Sequence, residues 1–188
     1  RDRYDNVLRG WWDIHNRRTY LDSLEWVREE GHRLMFADHW GEMLVTSEQE
    51  WEQEAESLRK TDPKAFNRKT LVRHYRRVIG TQGINAWDLG RVVLLARMAA
   101  TCDYITESEA WETILAEAQH AARLFSNWYQ YAHSYLIGRQ YAMGNLDDDN
   151  GIAYLRITHR LLSDPSSPWQ RYALFGELNT AGTPATAH

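Results

Sequence analysis

Apolar residues recur along this chain at helical intervals, and polar caps and glycines divide the pattern into segments. In "TYLDSLEWVREEG", Tyr20, Leu24 and Val27 follow i, i+4, i+7 spacing and Gly31 supplies a stop. "SEQEWEQEAESLRK" opens with Ser47 and Glu50 at capping-box spacing and sets Trp51, Ala55 and Leu58 on one face. "DPKAFNRKTLVRHYRRVIG" carries the period through Val72, Tyr75 and Ile79 to Gly80. The most apolar segment, "NAWDLGRVVLLARMAA", precedes "TESEAWETILAEAQHAARLF", which opens with Thr106 and Glu109 at the same capping spacing. With "SNWYQYAHSYLIGRQYAM" and "NGIAYLRITHRLL" the pattern predicts about seven or eight helices. No segment alternates like a strand bounded by hairpin turns. The expected fold is therefore all-α: a single compact helical domain over residues 1–177, followed by a small, polar, flexible tail at 178–188.

Composition narrows the function classes. The 188 residues are 43% hydrophobic and 26% charged, an ordinary globular balance, and a formal charge of −4 gives no global reason to expect nucleic acid or an anionic membrane. No apolar run approaches the roughly 18–20 residues that cross a bilayer, and "RDRYDNVLRG" lacks a signal-peptide core. A cytoplasmic location is expected, with delivery to another cell if the chain is an effector domain. The absence of an initial Met leaves open that the chain is a piece of a longer protein. A single cysteine, Cys102, excludes an internal disulfide framework. Nine Trp and ten Tyr are the oddity, many rings with polar handles to place.

Six short motifs occur in order: "LRGWWDI" (8–14), "GHR" (31–33), "AWDLGR" (86–91), "YITESEAW" (104–111), "FSNW" (125–128) and "SYLIGR" (134–139). Together they resemble a bacterial family, domain of unknown function 1266, over residues 8 to about 143. The resemblance implies a mainly helical bacterial domain and brings no established reaction, and residues 144–188 carry none of its motifs.

The polar residues of these motifs are the candidates for function. With Asn85 as N-cap, Asp88 falls at N3, where a carboxylate completes a capping box. Arg91 has no such local reason. It can pair with Asp88 or stack on Trp87, and if buried it needs an acidic, carbonyl or ligand partner. Tyr135 and Arg139 share a helical face, and Gly138 leaves room for a close neighbour. Two readings follow. Arg139 clamps helices together by pairing with an acid such as Asp88, in a polar network with Asn85 and Arg33; or Trp87, Arg91, Tyr135 and Arg139 line a cleft for a carboxylate or phosphate. His32 is a catalytic candidate by residue type, an imidazole with no identified nucleophile.

Other chemistry is poorly supported by spacing. Asp38 and His39 diverge around a helix, and "LDDDNG" places Leu146 and Ile157 where a calcium loop needs oxygen ligands, so no metal is expected. No phosphate-loop, dinucleotide or GxSxG motif is present, and no cofactor is expected. Arg68, Arg73, Arg76 and Arg77 form a basic stretch in which Arg68 and His74 have a spacing seen in some helical ribonucleases; a solvated face is the expected role, with RNA binding the alternative. The leading expectation is a helical domain that binds a small anion or a protein segment. The alternatives are an effector or toxin acting on nucleotide or nucleic acid, and an interaction module docking through exposed Trp residues.

Overall fold

A computed structural model describes residues 1–145 and 149–174. The helices are α1 (Asp2–Trp12), α2 (Arg17–Glu29), α3 (Arg33–Val45), α4 (Glu48–Thr61), α5 (Pro63–Tyr75), α6 (Asn85–Thr101), α7 (Glu107–Leu124), α8 (Trp128–Met143), α9 (Asp149–Ser163) and the single turn α10 (Pro168–Arg171). The fold is all-α, with no strand among the described residues. Each segment read as helical from its periodicity forms a helix, and α1, α3 and α10 join them. The expected tail at 178–188 and the first part of "LDDDNG" lie outside the described residues.

Local chemistry sets most of the boundaries. Ser47 with Glu50 and Thr106 with Glu109 form reciprocal capping boxes at the starts of α4 and α7. Asp62 caps α5 ahead of Pro63, a residue preorganised for a first helical turn. Although apolar spacing runs on to Gly80, α5 stops at Tyr75. Ile79 is still buried, reached through a turn in place of further α-helix.

The central helix is α6, which packs against α1, α2, α7 and α8. Val92, Leu95, Ala96 and Ala99 meet Leu8, Tyr20, Leu24 and Val27 in one core cluster. Full burial of a side chain such as Leu95 stabilises the fold by about 1.5–3 kcal/mol. A second cluster joins Phe36, Leu71, Val72, Ile84 and Tyr141 from α3, α5, α8 and the segment before α6. The α6–α8 contact unites the two halves, and the polar residues of α6 lie where they meet the α2–α3 corner.

Candidate functional site

At the start of α6 the structure corrects the expected cap. Ile84 occupies the N-cap position without a side-chain cap bond, and Asn85 is the first helical residue. Its side-chain amide donates to the Gln82 carbonyl at 2.6 Å. A free donor of the first turn, Ala86 N–H, is satisfied from the neighbouring helix by Ser134 Oγ at 3.0 Å. Asp88 consequently has no capping box to complete in its own helix.

Its carboxylate instead crosses to α3. Asp88 Oδ2 accepts the backbone N–H groups of His32 at 3.1 Å and Arg33 at 3.0 Å, and the Arg33 guanidinium at 3.4 Å. Oδ1 accepts from Arg91 Nη2 at 2.5 Å. The aspartate thus caps the N-terminus of another helix, where unpaired N–H groups favour negative charge. Gly31 makes the approach feasible: its φ is +60°, and an added Cβ would overlap the Asp88 carboxylate. Arg33 also donates to the Val27 carbonyl at 2.6 Å and to that of Arg28, closing the C-terminal end of α2. "GHR" and "AWDLGR" are two halves of one helix–helix clamp.

Arg91 is 6% exposed and encased by aromatic faces. Its guanidinium carbon lies 5.4 Å from the Trp12 ring, 5.3 Å from Trp26 and 5.7 Å from Trp87, so both sequence-based options, pairing with Asp88 and stacking on Trp87, are realised. Arg33 and Arg91 share the Asp88 carboxylate, so these three side chains carry one more positive than negative charge. His32 adds none at neutral pH. Burial, reinforced by Arg91, lowers its pKa to about 4, and its ring meets the edge of Trp26 at 6.0 Å.

"SYLIGR" serves the α6–α8 contact. Trp87 seats against Gly138, where an added Cβ would overlap it, and meets the Tyr135 ring at 5.3 Å. Tyr135 lies over Gly90 in turn, and burial pushes its phenol up to about 12. Arg139 turns instead to α9, its guanidinium 4.3 Å from the Tyr154 ring, and lines a cavity of ≈ 300 Å³ between α8 and α9. Trp87, Arg91 and Tyr135 therefore come together as packed neighbours, while Arg139 faces elsewhere.

Two further cavities adjoin the clamp and share Arg33 and Asn85. One, of ≈ 250 Å³, is largely apolar, walled by Leu34, Phe36, Ala37, Trp40 and Ile84. The other, of ≈ 210 Å³, runs past Asp88 to Arg28, Glu117 and His120. There Glu117, 6% exposed, accepts from Arg28 at 2.7 Å. Sequence reasoning missed Arg28, Trp40 and Glu117. A carboxylate in the apolar span of α7 was the one visible signal, for a buried Glu needs a partner. Among the described residues no cluster of His, Cys, Asp and Glu is arranged to hold a metal. No described helix is long and apolar enough to cross a membrane.

Clamp, indole enclosure and glycine contacts draw together residues of the motifs at 31–33, 86–91 and 134–139. The chain belongs to a family described as protein of unknown function (DUF1266), whose model matches residues 7–174. It is similar to the uncharacterized protein YbeR of Escherichia coli (strain K12), 28% identical over 137 residues, covering 73% of this chain and 57% of that protein. It is also similar to the uncharacterized protein YbeU of the same organism, 24% identical over 142 residues, covering 74% of this chain and 58% of that one. The chain thus matches less than two thirds of the length of these relatives. No solved structure matches it.

Proposed function

We propose that this domain is a binding module for a small organic anion with an apolar body. The body occupies the cavity walled by Leu34, Phe36, Ala37 and Trp40, and the charged end meets Arg33 and the Asn85 amide. The observation that carries this reading is the charge balance at the shared wall. Two guanidiniums flank one carboxylate, and Arg33, the one that lines both cavities, brings the surplus positive charge to the ligand. An anion is favoured there, and the planar guanidinium suits carboxylate or phosphate oxygens. This reading keeps the anionic ligand expected from sequence and moves it from Arg91 and Arg139 to Arg33 and Asn85. Arg91, enclosed by indoles, orients Asp88 and through it Arg33.

Thermal shift with a panel of apolar carboxylates and phosphates tests the proposal, because a ligand that binds only the native state stabilises it by mass action. At a hundredfold excess over Kd the gain is about 2.7 kcal/mol, which for a chain of this size raises Tm by about 5–10 °C. Ala37 is exposed, so Ala37→Trp fills the cavity mouth without disturbing the core. The expected result is that at least one acid raises Tm and that Ala37→Trp, folded normally, loses the rise. The proposal fails if no acid shifts the wild type or if Ala37→Trp keeps every shift.

A further inference from the structure

The basic face of α5 takes no part in either cavity beside Arg33. Its last two turns, the turn that follows and the start of α4 border an open depression of ≈ 510 Å³ lined by Glu48, Thr70, Arg73, His74, Arg76 and Arg77. Cations in a last helical turn have a plain electrostatic reason, since the carbonyl end is negative. That reason does not extend to the donors beneath them. Thr70 Oγ1 and Arg73 Nη1, three residues apart on one face, are both buried without an acceptor among the described residues. Buried donors left unmade cost free energy, and both residues border this depression, where an acceptor oxygen that reached them would be stabilised.

The neighbours of Arg73 show what that oxygen would belong to. Its side chain is 13% exposed and its guanidinium lies 5.6 Å from the Trp51 ring, which holds its plane. Its other terminal nitrogen, Nη2, is paired with Glu48, a side chain 78% exposed at the first residue of α4. The carboxylate now on Arg73 is thus a solvated group that can leave at small cost. Arg76 donates to the Arg73 carbonyl, and Arg77 is exposed at the rim. Against the single charge of Glu48 stand three guanidiniums.

We propose that this depression is a phosphate site. A phosphate group displaces Glu48 from Arg73, accepts from Arg73 Nη1 and the Thr70 hydroxyl, and is flanked by Arg76 and Arg77. Phosphate fits better than carboxylate because its third oxygen and extra negative charge engage the hydroxyl and the flanking cations while two oxygens meet the Arg73 fork. The group comes from a free phosphate compound or from a nucleic acid backbone, and the two are separated by experiment.

Pyrophosphate and a short single-stranded oligonucleotide are titrated into ¹⁵N-labelled protein, into the Arg76→Ser/Arg77→Ser double variant and into Glu48→Gln. Both probes are expected to give saturable shifts centred on residues 70–77. The double variant weakens binding about tenfold or more, and Glu48→Gln tightens it by removing the competing carboxylate. Tighter oligonucleotide binding that falls steeply with salt assigns the site to nucleic acid backbone, and tighter pyrophosphate binding assigns it to free phosphate compounds. The proposal is overturned if neither probe gives a saturable shift in the wild type, if the shifts lie away from 70–77, or if both variants bind as the wild type does. The substituted side chains are polar and line an open surface, and a thermal melt of each variant checks that its fold is retained.

Discussion

Replacing Asp88 by Asn removes one charge from the carboxylate at the centre of the clamp. In the native protein the carboxylate is 3% exposed, accepts two backbone N–H groups of α3 and balances two guanidiniums. Asparagine keeps one acceptor oxygen for the α3 cap, and caps of this kind differ little between Asp and Asn. The charge is not replaced. Arg91, at 6% exposure, then keeps three indoles and loses its counter-ion. Breaking a buried pair from one side costs about 3–5 kcal/mol, against a total stability of about 5–15 kcal/mol for domains generally. Urea unfolding followed by circular dichroism reads this directly: with a slope near 2 kcal/mol/M, the midpoint falls by about 2 M at unchanged slope. Adding Arg91→Met removes the stranded cation, so the double variant should lose less than the sum of the single losses, with a coupling of about 1–3 kcal/mol. A loss below about 1 kcal/mol for Asp88→Asn, or strict additivity with Arg91→Met, would refute the clamp.

His32 gives the domain an acid limit. Its pKa is about 4 in the fold against an ordinary 6.5, so the unfolded chain binds the extra proton between these values. Stability contributed by the neutral ring is therefore full above pH 6.5 and declines as pH falls toward 4, by about 1–2 kcal/mol once solvent screening of the partly open ring is counted. Urea midpoints at the two ends of this range should differ more for the wild type than for His32→Gln; equal differences would contradict the assignment. Gly138→Ala drives a methyl into Trp87, and a loss of about 1–2 kcal/mol is expected in the same assay after the helix-propensity gain of alanine is subtracted. Thr106→Ala removes the α7 cap and should cost about 1 kcal/mol while Glu109 still pairs with Arg17, as a shift in Tm will show.

The fold was legible because its determinants are local. Two capping boxes, the Asp62–Pro63 start and the spacing of Tyr20, Leu24 and Val27 fixed helices without reference to the rest of the chain. The site was legible only where partners are near in sequence, as Asp88 and Arg91 are. Asn85 was misplaced as a cap because the competing cap, Ser134, lies 48 positions beyond Ala86, whose N–H it accepts. The destination of Asp88 lies 55 and 56 positions back at Arg33 and His32, and two of the indoles around Arg91 come from α1 and α2. No helical period encodes such distances. Arg68 illustrates the same limit in the basic stretch. Its guanidinium donates to the Tyr141 and Ala142 carbonyls at the end of α8, a capping duty that its sequence neighbours do not announce.

The central claim is that the Arg91 cluster is scaffold and that recognition occurs beside it, at Arg33 and Asn85. Chemical-shift mapping with a library of small apolar carboxylates tests this most directly, read at backbone amides, indole N–H groups and arginine side chains. The expected result is saturable shifts at Arg33, Ala37, Trp40, Gly83 and Asn85, with the side-chain signals of Arg91 and Trp12 unmoved. Shifts centred on Arg91 or Arg139, or none at residues 33–40 and 80–85, would contradict the account.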